Sequence, residues 1–235
     1  MDDAVANGDW PLLDAPRGLK RGAPILATIT GNTATFLRTV DPKRALMERT
    51  LARWGVDEEF PPAIEQAARE VSYDLDGPAF RDRRDLREVP TLTIDGANSR
   101  DLDDALAVLP AQDDGAIRVL VSIADVDACV PEGSPLDLEA RARGTTVYLA
   151  DGVFPMIPRT LSEDRLSLLP GVDRAALTVE LRIDPDGEVT AADPWLSLIR
   201  NHSRLTYAGA AAFLDHDDPS EVPEAAQSTL RWLRA

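Results

Sequence analysis

From residue 91 onward the chain alternates between short apolar runs and turn residues, a pattern typical of β-strands. Residues 91–94 form one apolar run that leads directly into Asp95, and residues 105–109 form the next. Further strands are predicted at residues 117–126 and 145–149. Another is predicted at residues 175–183, pairing across a Pro-Asp-Gly turn with a strand that starts at Glu188.

Helices are predicted where a capping residue or a proline precedes an apolar period. Ser134 and Pro135 begin a helix that runs to Arg143, and Thr206 caps one that extends to about residue 214. Pro223 begins a last, amphipathic helix that reaches Ala235 without a C-cap, so the sequence looks cut within an element. Together the patterns predict an α+β fold with a mixed, mostly antiparallel sheet and packed helices.

The first 83 residues are predicted to form a separate module and a connector. Residues 1–18 show no periodicity, and residues 25–30 and 33–40 alternate around Gly31-Asn32 as a hairpin. Helices follow from Pro42 to about residue 54 and from residue 61 to about residue 71. A small winged-helix-like module and a packing element of the main domain are equally compatible with this pattern. A charged connector at residues 72–89 separates the module from a main domain predicted at residues 84–235.

Composition and charge narrow the class of protein. Hydrophobic residues make up 44% of the chain, enough for a core, and Cys129 is the single cysteine, so no intrachain disulfide can form. We expect a cytoplasmic monomer without membrane association. The net charge of −16 argues against a general nucleic-acid coater, but 23 of the 25 basic residues are arginine, which suits phosphate contacts in a local channel.

Four aspartates within ten residues carry the main chemical signal: Asp95, Asp101, Asp103 and Asp104. Carboxylates this close repel one another, and the crowding becomes favourable when divalent cations with a preference for hard oxygen ligands bind among them. A loop of turn-forming aspartates is the competing interpretation. Because four of them lie between two apolar strands, the pattern favours a metal site for phosphoryl displacement.

The sequence lacks the residues that several other kinds of catalytic or binding site require. The chain has two histidines, neither in a spaced metal motif, which disfavours serine and cysteine triads. No Walker or dinucleotide-binding glycine motif occurs, and the aspartate run lacks the glycine and closing glutamate of an EF-hand.

The ordered motifs of residues 84–235 resemble the catalytic domain of the ribonuclease II and ribonuclease R family, called the RNB domain. The resemblance rests on the following segments, in order: Asp85-Leu86-Arg87, Thr93-Ile94-Asp95-Gly96, Asp101-Leu102-Asp103-Asp104-Ala105, Ile123-Ala124-Asp125-Val126, Gly133-Ser134, Val147-Tyr148-Leu149, Pro155-Met156-Ile157-Pro158, Ser167-Leu168, Pro170-Gly171 and Arg204-Leu205-Thr206-Tyr207.

The resemblance implies a processive 3′→5′ exoribonuclease that hydrolyses single-stranded RNA to nucleoside 5′-monophosphates with Mg²⁺, or alternatively Mn²⁺, by a two-metal-ion mechanism. It implies that the four aspartates are catalytic and bind the metal ions. Tyr148 matches an aromatic residue that stacks on RNA, although by itself a strand tyrosine would be assigned to the core. Arg143 would reach RNA phosphate or pair with a nearby acid, and Asp125 would take an outer-shell role at least as readily as a metal-binding one.

The chain departs from the family pattern at both ends. Only 94 residues precede Asp95, too few for the two cold-shock-type barrels of many relatives. The remaining C-terminal part of the catalytic domain, and an S1 domain, are expected as partners in the same gene product or in a second chain. Two alternatives stay open: a catalytically inactive RNA-binding or regulatory protein, and a phosphohydrolase of small phosphoesters.

Overall fold

The computed structural model of the chain describes residues 12–14, 16–20, 25–39, 41–109, 114–149 and 152–234. The predictions made for residues 1–11, for Val40 and for Ala235 lie outside these residues. The chain divides into two units, Met1–Pro61 with Ala140–Met156 and Pro62–Glu139 with Ile157–Ala235.

The first unit contains the predicted hairpin, formed by β2 (Ile25–Thr30) and β3 (Thr33–Thr39), with the short β1 (Leu12–Leu13) parallel to β3. Helix α1 (Pro42–Trp54) follows. The unit also holds the antiparallel pair β8 (Val147–Leu149) and β9 (Gly152–Phe154). Its core joins the helix to this second pair through Met47, Leu51, Val56 and Phe154.

The second unit is built on a seven-stranded sheet in the order β11-β10-β7-β6-β5-β12-β4. Strand β12 runs parallel to β4 and β5, and the other pairings are antiparallel, as predicted for the fold class. The strands are β4 (Arg84–Asp85), β5 (Thr91–Asp95), β6 (Asp104–Leu109), β7 (Ile117–Ala124), β10 (Asp173–Ile183), β11 (Val189–Ala191) and β12 (Trp195–Thr206).

Strand β12 also pairs with β10, so β10, β7, β6, β5 and β12 form a closed ring of hydrogen-bonded strands. Closure removes the free edges that an open sheet would present. The ring strands contribute mainly alanine to the cluster on the inward face, because the interior is narrow. The buried cluster on this face comprises Leu102, Ala105, Ala124, Leu168, Ala176 and Ile199.

Helices α4 (Tyr207–His216) and α5 (Glu224–Arg234) cover the other face of the ring at β5 and β12. Leu92 and Leu205 from the strands pack there against Phe213 and Leu230 from the helices. The predicted cap of α4 is confirmed, because the Thr206 hydroxyl accepts a hydrogen bond from the Gly209 amide at 3.0 Å.

Two more helices complete the described chain: α2 (Pro62–Glu70) and α3 (Pro135–Arg143), the latter with the predicted bounds. A 3₁₀ turn at Val126–Ala128 follows β7, and a π-helical segment spans Thr160–Arg165. Among the described residues, no helix is long and apolar enough to cross a membrane.

The strand predicted to start at Glu188 and to pair with residues 175–183 is divided in the structure into β11 and the longer β12, and both pair with β10. No end was predicted for β12. Its sequence interleaves polar residues with apolar ones, yet Ser197 and Asn201 are buried. The Ser197 hydroxyl hydrogen-bonds that of Thr178 at 2.6 Å, and the Asn201 side-chain amide donates to the Leu168 carbonyl at 2.7 Å. Polar side chains with buried partners therefore obscure the bounds of a core strand in a pattern-based prediction. The predicted strand at residues 117–126 ends two residues earlier, at Ala124, and the 3₁₀ turn occupies the following Val126–Ala128.

Candidate metal centre

The four aspartates lie at one end of the antiparallel pair β5 and β6. Asp95 is the last residue of β5 and Asp104 is the first of β6, and Leu92 of β5 pairs with Leu106 of β6. The loop of residues 96–103 between them carries the other two aspartates. This is the arrangement that the sequence predicted, a carboxylate loop between two strands of a sheet.

The second half of this loop is anchored through Leu102. Its side chain is fully buried, its amide donates to the Ser167 hydroxyl at 3.0 Å, and its carbonyl accepts from the Leu168 amide at 2.8 Å. Asp101 and Asp103, on either side of Leu102, are both more exposed than it is. Because neighbours in an extended segment alternate in direction, the inward anchor turns both carboxylates away from the core.

Burial and the charges of neighbouring aspartates raise the pKa values of two members of the cluster, Asp103 and Asp95. Burial, followed by the charges of Asp101, Asp104 and Asp95, raises the pKa of Asp103 to about 6. Burial and the Asp104 charge also raise the pKa of Asp95, while the Arg204 guanidinium opposes that rise. Like charges in a partly desolvated site disfavour ionisation, so the loop concentrates negative charge at a free-energy cost.

A hard divalent cation fits the donor chemistry of this cluster. The Oδ2 atom of Asp95 is buried and has no hydrogen-bond partner among the described residues. An unpartnered buried carboxylate oxygen beside three further carboxylates is a suitable ligand for Mg²⁺ or Mn²⁺. Within the described part of the chain, no three His, Cys, Asp or Glu side chains are already grouped tightly enough to hold a metal ion.

The first half of the loop is held by an arginine from another strand. Arg204 of β12 donates from Nη2 to the carbonyl oxygens of Ser99 at 2.7 Å, Ala97 at 3.2 Å and Gly96 at 3.4 Å. At the other end of the loop, the Asp103 carbonyl accepts from the Ala124 amide of β7 at 2.8 Å. The loop that carries the aspartates is thus bonded to three other parts of the second unit.

The RNB domain model matches residues 83–235, about two thirds of the chain and all four aspartates. The chain belongs to the RNB domain family. The matched region begins at residue 83, one residue before the start that the sequence predicted for the main domain.

Curated RNB relatives agree with this assignment. Ribonuclease R of Thermotoga maritima is 41% identical over 168 residues, which are 71% of this chain and 23% of the relative. DIS3-like exonuclease 2 of Xenopus tropicalis is 41% identical over 175 residues, 73% of this chain and 21% of that protein. The chain therefore spans about a quarter of the length of such relatives.

Solved structures share the fold. RNase R of Mycoplasma genitalium in complex with ribose-methylated single-stranded RNA superimposes with a TM-score of 0.79 at 23% identity, over 94% of this chain and 36% of that one. Yeast Ssd1, described as a pseudonuclease, superimposes with a TM-score of 0.65 at 18% identity, over 88% of this chain and 26% of that one. At these identities the likeness shows the fold alone, and the fold occurs in a protein described as lacking nuclease activity.

Tyr148, predicted to stack on RNA in an RNB domain, lies in β8 of the first unit, and its side chain is 63% exposed. Its neighbours Val147 and Leu149 face the core cluster of that unit instead. The alternative that Tyr148 fills the core is therefore wrong. Its RNA-binding role stays a prediction.

Arg143, the second residue predicted to contact RNA, is buried at the end of α3. Its guanidinium donates to the carbonyls of Asp57 at 2.9 Å and Glu59 at 2.8 Å and lies over the Phe60 ring at 3.7 Å. These contacts hold the backbone of residues 57–60 within the first unit. A contact between Arg143 and RNA stays a prediction.

Asp125 takes a structural partner. Its carboxylate pairs with Arg83 at 2.5 Å, and the two side chains are 10% and 6% exposed. The bond comes from Nη2 of Arg83, and Nε and Nη1 have no hydrogen-bond partner among the residues that the structure describes. Asp125 directly follows Ala124, whose amide donates to the Asp103 carbonyl. The Asp125–Arg83 pair is therefore next in sequence to a residue that is bonded to the carboxylate loop.

Sequence reasoning assigned no role to Arg204 or Ser167, the two side chains that anchor the loop. Both lie in segments quoted for the family resemblance, but a role for either requires knowing which strands are adjacent. Arg204 is 105 residues from Ser99, and Ser167 is 65 residues from Leu102. The resemblance was the only signal in the sequence that could have marked them.

Proposed function

We propose that this chain is the carboxylate-bearing part of a processive 3′→5′ exoribonuclease that hydrolyses single-stranded RNA to nucleoside 5′-monophosphates with Mg²⁺ or Mn²⁺. The observation that carries the proposal is the retained cluster of Asp95, Asp101, Asp103 and Asp104 at the end of two paired strands. Membership of the RNB family and the similarity to ribonuclease R support it.

In this proposal the four aspartates hold the metal ions, and Asp95 contributes the buried oxygen that lacks a partner. The bound ions would supply activation of water and charge neutralisation at the scissile phosphate. The sheet supplies rigidity, because Asp95 and Asp104 are each the terminal residue of a hydrogen-bonded strand. Ser167 and the Ala124 amide fix the backbone between them.

RNA binding outside the four aspartates would use the exposed ring of Tyr148. Stacking tolerates any sequence, since every base presents a π-face, and this suits an enzyme that advances along a strand one nucleotide at a time. The C-terminal remainder of the domain and an S1 domain, in the same gene product or in a second chain, would complete the RNA path.

An RNA-binding protein without activity is the second candidate, favoured by the likeness of the fold to the pseudonuclease Ssd1. Four retained carboxylates favour the enzyme, since an inactive protein would need no such concentration of charge. A phosphohydrolase of small phosphoesters would use the same cluster but would be indifferent to the RNA chain.

The deciding experiment uses the full-length gene product with 5′-labelled single-stranded RNA, in Mg²⁺, in Mn²⁺ and in EDTA, followed on a sequencing gel. We expect metal-dependent loss from the 3′ end down to a short core, and none with Asp103→Asn, which should still bind RNA. The matched control is Asp186→Asn, an exposed aspartate in the turn between β10 and β11, which should degrade RNA like the wild type.

The outcomes separate the candidates. Intact RNA in every lane, with RNA binding retained, would identify the inactive binder. Turnover of p-nitrophenyl phosphate or of mononucleotides, with intact RNA, would identify the small-substrate phosphohydrolase. Wild-type degradation by Asp103→Asn would refute the assigned metal site.

A further inference from the structure

The loop that carries the candidate metal ligands begins with a turn whose carbonyl groups converge on one side chain. The Ser99 amide donates to the Gly96 carbonyl at 3.0 Å and closes the turn. The carbonyl oxygens of Gly96, Ala97 and Ser99 all lie within hydrogen-bonding distance of Nη2 of Arg204. The contact to Ser99, at 2.7 Å, is the shortest of the three.

The position of Arg204 follows from strand pairing. In the parallel pair β5 and β12, Arg204 lies opposite Thr93 and Thr206 lies opposite Asp95. The guanidinium is therefore carried by a strand of the ring that lies directly beside β5, close to the end of β5 at Asp95. A planar guanidinium with several fixed N–H donors can bridge neighbouring carbonyls in a way that a single ammonium group cannot reproduce.

Ser167 holds the other half of the same loop. Its hydroxyl donates to the Arg100 carbonyl at 2.8 Å and accepts from the Leu102 amide at 3.0 Å, and its side chain is fully buried. Together the two residues bond the backbone at residues 96, 97, 99, 100 and 102, on both sides of Asp101. The separation of Asp95 from Asp101 and Asp103 therefore depends on side chains outside the loop.

We propose that Arg204 is a positioning residue that sets the distance between Asp95 and Asp101 by fixing the turn at residues 96–99, with Ser167 fixing the following segment. This inference rests on the proposed function, because it treats the aspartates as ligands of Mg²⁺ or Mn²⁺. The inference goes beyond the proposed function because it assigns the preorganisation of the metal site to Arg204.

Geometry and charge predict opposite effects of removing Arg204. A positive charge close to Asp95 disfavours a second cation, so its loss would strengthen metal binding if charge dominated. The clamp opposes the mutual repulsion of the carboxylates, so its loss would weaken metal binding if positioning dominated. The three carbonyl contacts favour positioning, and we expect the net effect to be weaker binding.

Mn²⁺ binding to the full-length protein, measured from the electron paramagnetic resonance signal of the free ion, tests the sign directly. We expect Arg204→Met to raise the dissociation constant for Mn²⁺ by roughly tenfold to a hundredfold, the range seen when a supporting partner of metal ligands is lost. Arg204→Lys should fall between Arg204→Met and the wild type. The matched control is Arg200→Met. It removes another arginine of β12, whose described partner is Asp173, and this variant should bind Mn²⁺ like the wild type.

Amide hydrogen exchange of the metal-free protein distinguishes a local clamp from general destabilisation. Arg204→Met should speed exchange at the Ser99 amide and leave the Leu102 amide protected, and Ser167→Ala should do the reverse. Equal or tighter Mn²⁺ binding by Arg204→Met, or unchanged exchange at Ser99, would overturn the proposal. Absence of Mn²⁺ binding in the wild type would instead overturn the metal site on which the proposed function depends.

Discussion

Replacing Asp103 with asparagine should stabilise the metal-free protein while it removes activity. The side chain lies beside three other carboxylates, and burial together with their charges raises its pKa to about 6. At pH 8 Asp103 is ionised in the folded chain and repelled by its neighbours. Asparagine has nearly the same shape without the charge, so the repulsion disappears and the packing is retained.

The size of the effect follows from the pKa. A rise from 3.8 to about 6 corresponds to at most about 3 kcal/mol, at about 1.4 kcal/mol per pH unit. Burial is the largest cause of this rise, and the neighbouring charges add to it. Because the Asp103 side chain still contacts solvent, water offsets much of both effects, and we expect about 1 kcal/mol. For a chain of this size that is a rise in melting temperature of about 2–4 °C.

The pH dependence has a definite sign. The folded state binds the Asp103 proton more tightly than the unfolded state does, so the stability from that proton is complete below about pH 4. It is lost as the pH rises through about 6. The advantage of Asp103→Asn should therefore be full at pH 8 and absent at pH 4.

Urea unfolding of the chain in EDTA at pH 8 and at pH 4 measures both quantities. Asp85→Asn is the control with the opposite sign, because the Arg87 side chain lowers the pKa of Asp85 to about 2 and the substitution breaks that pair. Asp85 is exposed, so we expect a loss of a few tenths of a kcal/mol. A destabilised Asp103→Asn at pH 8, or an advantage that persists at pH 4, would refute the argument that the loop concentrates repulsive charge.

Three further predictions concern activity and stability. Asp101→Asn in the full-length protein should lower RNA turnover at least about 100-fold with little change in RNA affinity, and near-wild-type rates on the gel assay would contradict the assignment. Tyr148→Ala should weaken binding of a short RNA by about tenfold, measured by fluorescence anisotropy, without lowering the melting temperature; an unchanged affinity would leave the ring without a role in binding. Asp125→Ala leaves the Arg83 guanidinium buried without its carboxylate and should reduce the free energy of unfolding by about 3–5 kcal/mol, and a loss below about 1 kcal/mol would show that the pair is solvated.

Local pattern predicted the elements that border the site. The apolar run before Asp95 and the one after Asp104 became paired strands, and Thr206 became the predicted helix cap. These features depend on side chains within a few residues of one another, which is why a linear sequence reveals them. The bounds of strand β12 were not predicted, because its buried polar side chains obtain hydrogen-bond partners elsewhere in the unit, from Thr178 of β10 and from the Leu168 carbonyl.

By itself, the sequence predicted that the four carboxylates lie close together between two strands, since they fall within ten residues that are flanked by two apolar runs. The order of its motifs was also sufficient to indicate the RNB family. Only the tertiary structure decided what holds that loop in shape. The pairing of β5 with β12 brings Arg204 to the loop from 105 residues away, and the segment before β10 brings Ser167 from 65 residues away. Contacts across such distances depend on the packing of the whole unit rather than on local spacing.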